Sequence, residues 1–163
     1  MTHLAFIGLG SNLHDPRSQL QQAFADIGQL PDTKLLAQSS LCRSAPVGYL
    51  DQPDFVNAVA KIETALTPQA LLHALLEIEH RHGRERTFRN APRTLDLDVL
   101  LYDSLQFHEH GLTIPHPQMH KRAFVLRPLL EIEPDCDIPD AGLAVHALRA
   151  CQDQVLEQLA DVV

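Results

Sequence analysis

Apolar residues fall in runs whose spacing separates strands from helices. Residues 3–9 are almost wholly apolar and stop at Gly10-Ser11-Asn12, which predicts a buried strand leading into a turn. Asp15-Pro16 offers an N-cap with proline at the first helical position. Leu20, Ala23, Phe24 and Ile27 follow at helical spacing until Gly28 and Pro31 close the helix. Residues 34–43 alternate loosely and predict a strand. Residues 44–53 hold two prolines and a glycine and predict a loop, and 55–62 predict a further strand. Thr67-Pro68 opens the clearest helix, carried by Leu71, Leu72, Leu75, Leu76 and Ile78 as far as Gly83. Residues 94–102 alternate acids with apolar side chains and predict a strand, turned at Asp103-Ser104 toward a return near 105–107. An extended Pro/His loop at 111–118 and a short apolar helix at 121–131 follow. The tail, 143–160, reads as helical, with Leu148, Val155, Leu156 and Leu159 on one side. The order strand, helix, strand, strand, helix, strand predicts an α+β fold of one domain over residues 1–163. Its core is a ferredoxin-like βαββαβ unit with an antiparallel sheet and extra C-terminal helices.

Composition narrows the function classes. The 163 residues are 45% hydrophobic and 21% charged, ordinary values for a globular chain with a real core. No apolar run approaches the roughly 18 residues of a membrane span, and the start lacks the basic and long apolar regions of a signal peptide. Three cysteines without a C-x-x-C pattern argue for neither a disulfide framework nor a zinc ribbon, so a reducing cytoplasm is the expectation. The net charge of −8 speaks against nucleic-acid or anionic-membrane partners. Yet residues 81–93 hold five arginines against one acid, a charge of +4, so the rest of the chain carries −12. An acidic chain with one arginine segment suggests a local anion site such as phosphate.

The most informative triplet is Asp96-Leu97-Asp98. Side chains two apart on a strand share a face, so both carboxylates project together while Leu97 points the other way. Like charges so placed favour a cation between them, and Mg²⁺ takes one or two carboxylates completed by phosphates and water. The alternative is a solvated face paired with nearby arginines. Arginine's planar fork suits phosphate, so acids and arginines within about 15 residues point to phosphoryl transfer. Gly8-Leu9-Gly10-Ser11-Asn12 lacks the lysine of a phosphate loop and the third glycine of a dinucleotide fingerprint, and is read as a tight strand-to-helix turn. His116, between Pro115 and Pro117, is either a positioned phosphate or proton contact or a surface loop histidine. Phe55 and Phe124 fit a core by pattern alone. No nucleophile elbow or zinc spacing is present.

Together these motifs resemble one family, hydroxymethyl-dihydropterin pyrophosphokinase (HPPK) of the folate pathway. Pro92-Arg93-Thr94-Leu95-Asp96-Leu97-Asp98 is similar to its signature. Gly8 to Leu13, Asp51-Gln52-Pro53-Asp54-Phe55-Val56-Asn57-Ala58, Gly83-Arg84-x-Arg86 and Pro115-His116-Pro117 with Arg122-x-Phe124-Val125-Leu126 follow its order and spacing. The resemblance implies transfer of an intact pyrophosphoryl group from ATP to 6-hydroxymethyl-7,8-dihydropterin, leaving AMP. It also implies a ferredoxin-like fold, a monomer and two Mg²⁺ ions on ATP's phosphates. Asp96 and Asp98 match the metal-binding acids. Arg84, Arg86, Arg89 and Arg93 match the loop arginines that engage ATP, with Arg84 and Arg93 counted as catalytic. Glu79, Thr113, His116 and Arg122 match other ATP-side residues. Asn57 matches the residue that reads the pterin edge, Phe55 and Phe124 the aromatics that sandwich the ring, and Ser44, Ala45, Pro46 and Val47 the lip of that pocket.

The chain departs from the family pattern in three places. It has Asn90-Ala91 where many members have Trp-Gly, Pro117 where some have tyrosine, and Gly111 where some have arginine. Two rival classes remain at this point. A two-metal nucleotidyltransferase would release pyrophosphate in place of AMP. A non-enzymatic ferredoxin-like module would bind a small molecule or RNA, though the −12 remainder and the lack of an aromatic RNA-binding pattern oppose RNA.

Overall fold

The computed structural model describes residues 1–46, 51–83, 94–109 and 111–159. Among these residues ten strands and four α-helices follow in order: β1 (His3–Ser11), α1 (Pro16–Gly28), β2 (Thr33–Gln38), β3 (Cys42–Ser44), β4 (Phe55–Thr64), α2 (Pro68–Arg81), β5 (Asp96–Tyr102), β6 (Phe107–Glu109), β7 (Leu112–Ile114), α3 (Ala123–Ile132), β8 (Asp137–Ile138), β9 (Gly142–Leu143), α4 (Ala144–Arg149) and β10 (Leu156–Gln158). The main sheet is antiparallel in the order β10-β3-β4-β1-β5, with β2 also paired to β4. Helix α2 carries the chain from β4 to β5 across the intervening β1, and α1 carries it from β1 to β2 across the intervening β4. This is the split βαβ arrangement expected from the element order.

Both faces of the sheet are covered, which explains why β1 and β4 are nearly continuous apolar runs. Ala5, Ile7 and Leu9 of β1, Ala58, Ala60 and Ile62 of β4, and Leu97 and Val99 of β5 bury against Leu20, Phe24 and Ile27 of α1 and Leu71, Leu75 and Ile78 of α2. On the opposite face Phe6, Val59, Leu100 and Leu101 meet Val125, Leu126 and Leu129 of α3 and Ala144 of α4. Leu100 and Leu101 share that face because β5 carries an extra residue there: Ile7 pairs with Val99 and Phe6 with Leu101.

Several predicted elements are corrected. The strand at 34–43 is two strands, because the chain turns at Ser39 and Ser40: the Ser39 N–H still donates to the Val59 carbonyl at 2.9 Å, and the serine side chains supply the further bonds. Ser39 Oγ accepts from the Val59 N–H at 2.8 Å, and Ser40 donates its N–H and its hydroxyl to Glu131 of α3. The tail is helical only to Arg149. Beyond it the chain extends as β10 and pairs with β3, leaving Val155 86% exposed where the helical reading turned it inward. The 111–118 loop begins as β7, hairpinned to β6. Asp15 stands at φ +60° and makes no side-chain cap, whereas Thr67 Oγ1 accepts from the Ala70 N–H at 3.1 Å as its position predicts.

Buried polar side chains then fix the end of β1. The Ser11 hydroxyl donates to the Thr94 carbonyl, two residues before β5, and Asn12 Nδ2 donates to Gln52 Oε1 at 2.8 Å and to the Pro53 carbonyl at 3.0 Å. Both residues are buried. Ser11→Ala leaves the Thr94 carbonyl without this donor and is expected to lower the unfolding free energy by about 1–2 kcal/mol in urea titration. A loss no greater than that of a surface serine substitution would contradict this accounting.

Candidate active site

The register of β1 gathers the site. Gly10 pairs with Asn57 on one side and Asp96 on the other, while Gly8 pairs with Val59 and Asp98. Cross-strand partners share a face, so Asn57, Gly10 and Asp96 form one row beneath α3 and Val59, Gly8 and Asp98 the next. The central strand contributes no side chain to either row at these positions. A glycine strip therefore separates the acids on β5 from Asn57 and Phe55 on β4.

One pocket opens over this strip. It is lined by Gly8, Gly10, Ser44, Ala45, Phe55, Asn57, Asp96, Asp98, Leu100, His116, Arg122, Phe124 and Val125, among others. A Cβ on Gly10 would stand 3.3 Å from Asn57 Oδ1 and 3.9 Å from Phe55 Cδ1, so the glycine keeps the floor flat against the wall. Asn57 is buried and its amide is oriented: Nδ2 donates to Ser44 Oγ at 2.7 Å. Its other atom, Oδ1, is the one beside the glycine strip. Arg122 lies over the Phe124 ring at 5.5 Å, so a cation and an aromatic face sit together at the start of α3.

His116 closes the acid end. Its backbone N–H donates to the Leu100 carbonyl at 3.0 Å, which attaches the Pro/His loop to β5. Nδ1 accepts from the Gln118 N–H at 3.1 Å, so the neutral ring carries its proton on Nε2. Burial, aided by the Arg122 charge and opposed by Asp96, lowers its pKa to about 4. At neutral pH His116 is thus an uncharged donor.

Two residues expected on the ATP side do not line this pocket. Glu79 is buried at the end of α2, where its carboxylate accepts from the Leu97 N–H at 2.6 Å, between the two acids. It holds the strand that carries them. Thr113 lies on β7 and bonds His108 Nδ1 at 2.8 Å. Pro46 is half-buried beyond the lining residues. Val47, Arg84, Arg86, Arg89 and Arg93 lie outside the described residues, as does Asn90. The sequence reading missed the floor. Gly8 and Gly10 looked like a turn, although their spacing of two on a buried strand already put them on one face.

The donor set suits a hard cation only in part. Asp96 and Asp98 supply oxygen ligands from one face, and no group of three or more His, Cys, Asp or Glu that could hold a metal occurs among the described residues. A hard cation held there would need its further ligands from phosphate and water, the usual complement for Mg²⁺. No helix among the described residues is long and apolar enough to cross a membrane.

This chain is similar to known proteins in sequence and in fold. The model of the family described as 7,8-dihydro-6-hydroxymethylpterin-pyrophosphokinase (HPPK) matches residues 6–134. The 2-amino-4-hydroxy-6-hydroxymethyldihydropteridine pyrophosphokinase of Haemophilus influenzae is 46% identical over 155 residues, covering 95% of this chain and 97% of that one. That of Pseudomonas aeruginosa is 45% identical over 159 residues, covering 98% of each. The crystal structure of Plasmodium falciparum HPPK-DHPS with pteroate has the same fold at a TM-score of 0.74 and 12% identity. It matches 92% of this chain, which spans 42% of that one. With the family model matching well over half of its residues, the chain belongs to the HPPK family.

Proposed function

We propose that this chain transfers pyrophosphate from ATP to 6-hydroxymethyl-7,8-dihydropterin, as a monomeric single-domain enzyme of the cytoplasm. The observation that carries the reading is one pocket in which two carboxylates face a ring-sized apolar and amide wall across a strip of glycine. Three buried free cysteines agree with a reducing compartment. In the reaction the hydroxymethyl oxygen attacks the β-phosphorus. The bond from that phosphorus to the α–β bridging oxygen breaks, AMP departs with the oxygen, and the hydroxyl proton is released.

Such a transfer asks the protein mainly for placement and charge neutralisation. The pterin ring lies between Phe55 and Phe124, with Asn57 Oδ1 accepting from the ring's N–H edge and Ser44, Ala45, Pro46 and Val47 forming the lip. His116 offers Nε2–H to a phosphate oxygen without adding charge. Arg122 stands where the ring wall meets the phosphates, and its contact with Phe124 couples the two halves of the pocket. Arg84, Arg86, Arg89 and Arg93 neutralise the triphosphate, and Glu79 acts from behind the pocket by holding the strand that carries the acids. Asp96 and Asp98 hold Mg²⁺, two ions in all, and the metal supplies charge stabilisation at the transferring phosphates when bound.

Incubation with Mg-ATP and the pterin alcohol, followed by chromatography, tests the reading. AMP and a diphosphorylated pterin in equal amounts support it; ADP, free pyrophosphate or pterin-independent turnover contradict it. Asp96→Asn or Asp98→Asn is expected to cut turnover by roughly a hundredfold or more while leaving the melting temperature unchanged. Near-normal rates in both variants would remove the acid pair from the mechanism. Gly10→Ala is expected to raise the KM for the pterin about tenfold and to leave that for ATP within about twofold, because the new methyl meets the ring wall and not the acids. The reverse pattern in steady-state kinetics would misplace the ring.

A further inference from the structure

The C-terminal segment reaches back to this pocket from beyond the residues that the family model matches. Gln154 follows α4 on a turn closed by its own N–H to the Cys151 carbonyl at 3.0 Å. Its side-chain amide brackets Arg122. Oε1 accepts from the Ala123 N–H at 2.9 Å, and Nε2 donates to the Lys121 carbonyl at 2.8 Å. These are the backbone groups on either side of the arginine.

Arg122 is also the N-cap of α3 and makes no side-chain cap of its own. The first N–H groups of a helix have no partner inside it, so the one on Ala123 needs an outside acceptor. Gln154 supplies it from a distant part of the chain. A planar amide that accepts on one side and donates on the other fixes the backbone between them, here at φ −122° and ψ 108°. That backbone sets where the Arg122 guanidinium and the Phe124 ring enter the pocket.

The same stretch holds the opposite wall. Leu156 pairs with Ser44 as β10 adds to β3, and the Leu159 N–H donates to the Leu41 carbonyl at 2.8 Å. Ser44 in turn orients Asn57. Residues 154–159 thus tie the start of α3 to the rim of β3, with Leu159 buried in the core as the anchor.

We propose that Gln154 is a positioning residue for the transfer reaction, acting through Arg122 and Phe124; this rests on the pocket reading given above. Steady-state kinetics with Gln154→Ala, Gln154→Glu, Arg122→Ala and the control Gln152→Ala test it, alongside hydrogen exchange at the Ala123 amide by NMR. Gln154→Ala is expected to raise the KM for ATP and for the pterin about tenfold, the scale of one or two lost hydrogen bonds, with kcat within about threefold. Its Ala123 amide exchanges faster than in the wild type. Gln154→Glu keeps the acceptor for Ala123 but puts a carboxylate against the Lys121 carbonyl. It retains slow exchange while the KM values still rise severalfold. Gln152→Ala, an exposed glutamine two residues earlier, leaves all of these unchanged.

Wild-type KM values in Gln154→Ala beside raised values in Arg122→Ala would overturn the proposal and leave the pocket reading standing. Failure of that reading has another signature, in which Arg122→Ala is silent as well, and this overturns both. If Gln154→Ala does not fold, Gln154→Glu decides: unchanged KM values overturn the proposal, and raised values with a protected Ala123 amide support it.

Discussion

Two carboxylates on one strand face repel each other, and the rest of the structure is arranged to hold them there. At the ~6.5 Å spacing of alternate strand residues, and with both side chains only half-buried, the repulsion is under about 1 kcal/mol. Leu97 and Val99, buried on the reverse face, each contribute about 1.5–3 kcal/mol of burial, so packing outweighs the repulsion and fixes which face the acids share. Glu79 adds a buried bond to the Leu97 N–H, Ser11 ties the approach to β5 through Thr94, and the extra residue at Leu100 seats the strand's far end under α3. The acid pair is held in place by neighbours that lie behind the pocket.

From that pair the remaining geometry follows by register. Strand β1 lies between β4 and β5, so a side chain at position 8 or 10 would fill the space between the acids and Asn57. Glycine at both leaves a flat strip, and the pocket is the gap so created. The mouth is bounded by elements from elsewhere in the chain: His116 through its bond to Leu100, Arg122 and Phe124 through the start of α3, and Ser44 through β3. Asn12, bonded to Gln52 and Pro53, locks the loop before β4 to the end of β1. This is why motifs some forty residues apart in sequence belong to one site.

Legibility in the sequence followed the range of the forces involved. Local period showed β1, α1, β4, α2 and β5, and the two-residue spacing put Asp96 and Asp98 on one face. The assignments of Phe55, Asn57, His116, Arg122 and Phe124 came from motif resemblance, since a phenylalanine in a ring pocket and one in a core have the same local pattern. Features set by distant partners were not legible. The break at Ser39–Ser40 depends on Val59 and Glu131, and the strand β10 depends on the open edge of β3, while Leu156 and Leu159 at a spacing of three imitate a helix face. Nothing near Gln154 in the sequence signals that its amide belongs to the backbone around Arg122.

The central claim is that the acid pair on β5 is one half of a cation–triphosphate site. Binding of Mn²⁺ in place of Mg²⁺, measured by electron paramagnetic resonance with a non-hydrolysable ATP analogue, tests it most directly. The account predicts that the wild type binds Mn²⁺ more tightly with the analogue than either component does alone. It also predicts that Asp96→Asn combined with Asp98→Asn abolishes this gain in a protein that still folds. A double variant that binds Mn²⁺ and nucleotide as the wild type does would contradict it.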